Sequence, residues 1–63
     1  MSRMGQFVVE CQGIAESNYN EPRDVVVAEV ERVFMRDAPL IPMAMTATLD
    51  RWEEIQRDMG EYL

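Results

Sequence analysis

The sequence predicts an α+β fold in the order strand, long helix, strand, short helix, with one long helix covering a small partial sheet. Three observations carry this. Glu21 to Ala38 has a helical apolar period and is bracketed by prolines. Two shorter runs, Gln6 to Gln12 and Met43 to Leu49, alternate apolar residues with period two. A last segment from Asp50 returns to helical spacing. A strand, a returning helix and a second strand place the two strands parallel, with a right-handed crossover.

Met1 to Met4 is expected to fray. In Gln6 to Gln12, QFVVECQ, the residues Phe7, Val9 and Cys11 share one strand face, and Val8 and Glu10 share the other. Gly13 ends the run. Ile14 to Asn20, rich in turn formers, reads as a connection pinned to the core by Ile14 and Tyr19.

The central helix has Val26, Val30, Val33 and Phe34 on one face, with Val27 and Ala38 at its edge. Asn20 or Glu21 caps it, and Pro22 sits in the first turn, where its missing N–H costs nothing. Pro39 disfavours helical geometry at Ala38 and marks the stop. Its five valines lose rotamer freedom in a helix and weigh against this reading, but period and punctuation outweigh them.

Pro39 and Pro42 then predict an extended exit. Met43, Met45, Ala47 and Leu49 are expected to face the helix, leaving Ala44, Thr46 and Thr48 on a shallow face. Asp50 and Glu53 have capping-box spacing at the start of the short helix. Trp52, Ile55 and Met59 form its apolar stripe, Glu53 and Arg57 can pair, and Gly60 stops it. The expected core is Phe7, Val9, Val26, Val30, Val33, Phe34, Met43 and Met45.

With 63 residues the chain forms one small domain or domain fragment, residues 1–63. A chain of this length buries only about 60% of its unfolded surface, so its core is marginal. Its single cysteine, Cys11, reads as a small buried hydrophobe; with no histidine in the chain nothing activates it as a nucleophile. The same lack of histidine removes His-based acid–base chemistry, and without a Cys cluster there is no zinc-site pattern. Twelve carboxylates against six basic residues give a net charge of −6, which repels nucleic acid and anionic membranes. All the basic residues are arginine, for which G+C-rich coding is sufficient explanation. No apolar run reaches membrane-spanning length and no signal-peptide core opens the chain, so a soluble cytoplasmic protein is expected.

The order of these elements resembles the last palm segment of family A, polymerase I-like DNA polymerases. FVVEC at Phe7 to Cys11 is similar to the stretch that follows the His-Asp-Glu strand motif of that family. VAEVERVFMRDAPLIPM at Val27 to Met43 is similar to the long helix and Pro-led strand, and Trp52 to the near-terminal tryptophan. The resemblance implies a partial palm-like sheet and a role in DNA replication as the C-terminal piece of a nucleotidyltransferase. It also implies where the chemistry is missing. Met4, Gly5 and Gln6 stand where the family has His-Asp-Glu, and Gly5 has no side chain to bind metal. Two-metal phosphoryl transfer needs both ions clamped. No catalytic, cofactor or metal residue is therefore assigned, and Mg²⁺ is expected only in a complete polymerase.

Three functions remain open. The chain is a non-catalytic palm fragment that completes a polymerase partner; or a small acidic protein-interaction module, such as a phage-type regulator; or an enzyme. The enzyme reading has only carboxylates to draw on. Glu53 and Glu54 are adjacent and diverge on a helix, whereas Asp50, Glu54 and Asp58 share one side as a solvated acidic face. Nucleic-acid mimicry by that face, base stacking by Tyr19 and an adaptable surface built from six methionines are the weaker alternatives. Two exposed strand edges and an uncovered face of Val8, Ala44, Thr46 and Thr48 predict either a partner, whose arginines or lysines offset the charge, or self-association.

Overall fold

The computed structural model describes residues 3–61. Expectations for Met1, Ser2, Tyr62 and Leu63, and for the Met4 side chain, lie outside the described residues. Among those described there are three α-helices and no strand: α1 Arg3–Ser17, α2 Arg23–Val33 and α3 Ile41–Glu61, with a 3₁₀ segment Met35–Leu40 before α3. The α+β expectation, with its partial palm-like sheet, is overturned, because both expected strands are helical.

The reason lies in the length of the period. In α1, Phe7, Cys11, Ile14 and Ala15 fall at i, i+4, i+7 and i+8, which is one helical face; Phe7 is half-buried and the other three are buried. Cys11 is 1% exposed, whereas Val9, assigned to the same strand face, is 66% exposed. Ile14 to Ser17 continues the helix rather than forming a connection. Gly13, expected to end the run, lies within it.

The α2 helix keeps the expected phase in part. Val26, Val30 and Phe34 are buried at four-residue intervals, while Val33 is 40% exposed and leaves the core. The helix also ends earlier than Ala38. Continuing it would drive the ring of Pro39 into the carbonyl of Met35, four residues back. The chain instead leaves α geometry at Phe34, whose N–H still bonds Val30 O at 3.0 Å. A 3₁₀ segment follows, with Asp37 at φ −118° and ψ 50°.

Pro42 does not extend the chain. It is the second residue of α3, in the first turn, where a missing N–H is harmless. From there Ile41, Ala44, Met45, Thr48, Trp52 and Ile55 make a continuous helical stripe, all buried or half-buried. The expected strand faces break up: Ala44 and Thr48 are fully buried and Met43 is 48% exposed, whereas Leu49 is buried, Met45 and Ala47 are half-buried and Thr46 is exposed, as expected. Asp50 is an exposed interior position rather than a cap, Gly60 is passed by the helix, and Met59 is exposed. Arg51 pairs with Glu54 on this helix.

The α1 and α3 helices run parallel and α2 returns against both. Cys11 lies beside Thr48, the Asn18 backbone meets Trp52, and the far end of α2 brings Phe34 to Phe7. Cys11, Ile14, Val30, Phe34 and Ala44 form the core, with Phe7, Ile41, Met45 and Ala47 packed around them. The Phe7 and Phe34 rings lie 5.6 Å apart at 59°. The small side chains of Cys11, Ala15, Ala44 and Thr48 let the parallel helices approach closely.

Candidate interaction surface

Both walls of the main groove follow from the helical phases. On α1 the core stripe is Phe7, Cys11 and Ile14, so Val8, Gln12 and Glu16, at four-residue steps, form the adjacent edge. On α3 the core stripe leaves Ala47, Asp50, Arg51 and Glu54 on the side towards α1. Because the helices are parallel, these edges face each other. They line an open groove of about 370 Å³ with Cys11 at its floor, and no α2 residue takes part. Three carboxylates, Glu16, Asp50 and Glu54, line it together with one guanidinium, that of Arg51, which is paired with Glu54. A smaller hollow of about 240 Å³ at the other end is lined by Gln6, Phe7, Glu10, Phe34, Asp37 and Leu40.

Cys11 at the floor of the groove is not activated as a nucleophile. Burial pushes the Cys11 thiol up; the Thr48 hydroxyl beside it draws it partly back, and Glu10 raises it further. No hydrogen bond of ordinary geometry joins the pair, and Thr48 Oγ1 is buried without a partner among the described residues. A buried thiol with a raised pKa is a poor nucleophile. Among the described residues, no three His, Cys, Asp or Glu side chains converge as a metal-ligand set. On α2, pairing with Arg32 holds the Glu29 carboxyl below its usual range. That pair lies outside the groove.

The structure separates the residues singled out from the sequence. Gly5 and Gln6, aligned by the resemblance with the Asp and Glu of His-Asp-Glu, are exposed on the first turns of α1. Glu10 lines the smaller hollow. Tyr19 is exposed, and its carbonyl accepts a hydrogen bond from Gln56 Nε2. Of the acidic stripe, Asp50 and Glu54 line the main groove and Asp58 is exposed one turn beyond. Of the α1 wall, Val8 was expected on an uncovered face, but Gln12 and Glu16 were missed, although the four-residue spacing of all three marks the wall once α1 is read as a helix. Among the described residues no helix is long and apolar enough to cross a membrane. Comparison with protein-family models, curated proteins and solved structures finds no match to this chain.

Proposed function

We propose that this chain is a small acidic protein-interaction module, without enzymatic activity of its own, that works in the cytoplasm by presenting a helical surface to a partner protein. The observation that carries the proposal is the α1/α3 groove: an open cleft with apolar Val8 and Ala47 on its walls and three carboxylates along them. Its size and mixed lining suit a side-chain-bearing protein segment rather than an enclosed small molecule. A core this small also gains stability from a bound partner, since any ligand specific for the folded state adds to it.

The polymerase-fragment reading loses its main support. It required Phe7 to Cys11 and Met43 to Leu49 to be strands that complete a sheet, and both segments are helical. The interaction reading needs no sheet. The test is a photo-cross-linking residue placed at exposed Gln12 in the full chain, expressed in its native host. One discrete protein adduct is the expected result. A polymerase as the adduct would restore the fragment reading, and no adduct from Gln12 or from other exposed positions would refute the module.

A further inference from the structure

Resting on that interaction reading, we infer that the α1/α3 groove receives one amphipathic helix of a partner protein. This helix lies antiparallel to both walls, with arginine or lysine in its N-terminal turns and apolar residues in its C-terminal turns.

The groove is graded along its length. Since α1 and α3 run parallel, both walls change character in the same direction. Near their starts the walls carry Val8, which is exposed, and Ala47. Further along they carry Glu16, Asp50 and Glu54, with Arg51 paired to Glu54 among them. Val8 to Glu16 spans about 12 Å and Ala47 to Glu54 about 10 Å of helix, so about two turns of an occupant fill the groove.

Charge and dipole fix the direction of the occupant. The acidic half of the groove adjoins the C-terminal end of α1 at Ser17, the negative end of that helix's dipole. A helix entering with its N-terminus at that end brings the positive end of its own dipole to the carboxylates. Cations in its first turns would meet Glu16 and Asp50 and compete with Arg51 for Glu54, and apolar residues further on would cover Val8 and Ala47. That arrangement is also the antiparallel neighbour relation favoured in four-helix bundles.

A second copy of this chain fits less well. The α2 helix carries Asp24, Glu29 and Glu31 against Arg23 and Arg32, so it offers no cationic end. Groove against groove sets carboxylates on carboxylates in one orientation and carboxylates on apolar walls in the other. Nucleic acid is repelled by the net charge of −6. A cationic partner helix removes these conflicts.

The experiment is a selection from a displayed library of 14-residue helical peptides, randomised on one face, with the full chain as bait. Selected peptides are expected to concentrate Arg or Lys in the N-terminal turns and apolar residues in the C-terminal turns. Reversing a selected sequence, or combining Asp50→Lys with Glu54→Lys in the chain, is expected to weaken binding at least about tenfold. Asp24→Lys with Glu31→Lys on α2 is expected to change it less than about twofold. All four substituted positions are exposed, and circular dichroism of each variant checks that it stays folded. No selected binder, no cation bias, or equal binding by the groove charge-reversal variant would each overturn the groove assignment. If a cellular partner then cross-links only through other surfaces, the interaction module stands without this groove; if none cross-links, both fall.

Discussion

Where α1 and α3 begin, Phe7 leans on Phe34, Ile41 and Met45 pack around them, and Ala44 closes the core. Where α1 ends, polar bonds add to the burial of Ala15 and Val26. Asn18 caps its own helix, with backbone N and Nδ2 both donating to Ile14 O at 3.1 and 2.8 Å. The Asn18 carbonyl accepts from Glu21 N at 3.1 Å and from Trp52 Nε1 at 3.2 Å, and the Tyr19 carbonyl accepts from Gln56. One end is held by aromatic and apolar packing. The other is held by Trp52 and Gln56 of α3, which bond the Asn18 and Tyr19 carbonyls of the α1–α2 connection, while Asn18 itself caps α1.

The contrast breaks most readily at the apolar end. Phe34 is 4% exposed, and Phe34→Ala is expected to lose about 3–5 kcal/mol in a urea titration. That is comparable to the whole stability of a small domain, about 5 kcal/mol at the low end. At the polar end Trp52→Phe is expected to lose only about 0.5–1.5 kcal/mol, because the Asn18 carbonyl keeps its bond from Glu21 N. An equal loss at both ends in the same titration would erase the distinction.

Thr48 sharpens it from the opposite side. Its fully buried hydroxyl has no partner among the described residues, so Thr48→Val removes a desolvated polar atom without opening a cavity. A gain of about 1 kcal/mol is expected in thermal unfolding. A loss would mean that the hydroxyl interacts usefully with Cys11. The smallest effect concerns Cys11 itself. Its folded pKa is raised, chiefly by burial. The unfolded thiol therefore ionises first as pH rises. Stability from the buried neutral thiol is complete below the ordinary thiol range and is lost as pH climbs through the folded value. Melting curves across that alkaline window are expected to slope downward, and the slope is expected to flatten in Cys11→Ala.

The central helix was legible because two independent signals agreed. The spacing of Val26, Val30 and Phe34 gave the buried face, and Pro22 and Pro39 bounded the segment. The flanking segments were not legible from short windows. QFVVECQ and MAMTATL each satisfy a two-residue and a 3.6-residue period, and runs of this length cannot be separated by periodicity alone. The decisive residues lie just outside them: Ile14 and Ala15 continue the face of Phe7 and Cys11, while Trp52 and Ile55 continue the face of Ala44 and Thr48. Pro42 misled because a proline that ends one helix and a proline that opens the next look alike in sequence. One wall of the groove, Asp50 and Glu54, could be read as an acidic stripe on a helix. The other wall depended on α1 being helical and lying beside α3, which is tertiary information.

The phase of α3 is the central claim, because the bundle and its groove both follow from it. A paired comparison of Ala44→Glu and Met43→Glu tests it most directly. Adjacent positions change places between the two readings: a helix buries Ala44 and exposes Met43, whereas a strand packed on α2 does the reverse. With the helical bundle, Ala44→Glu places an unpaired carboxylate in the core and is expected to unfold the chain at 25 °C by circular dichroism. Met43→Glu is expected to melt as the parent does. A folded Ala44→Glu beside an unfolded Met43→Glu would contradict the three-helix architecture.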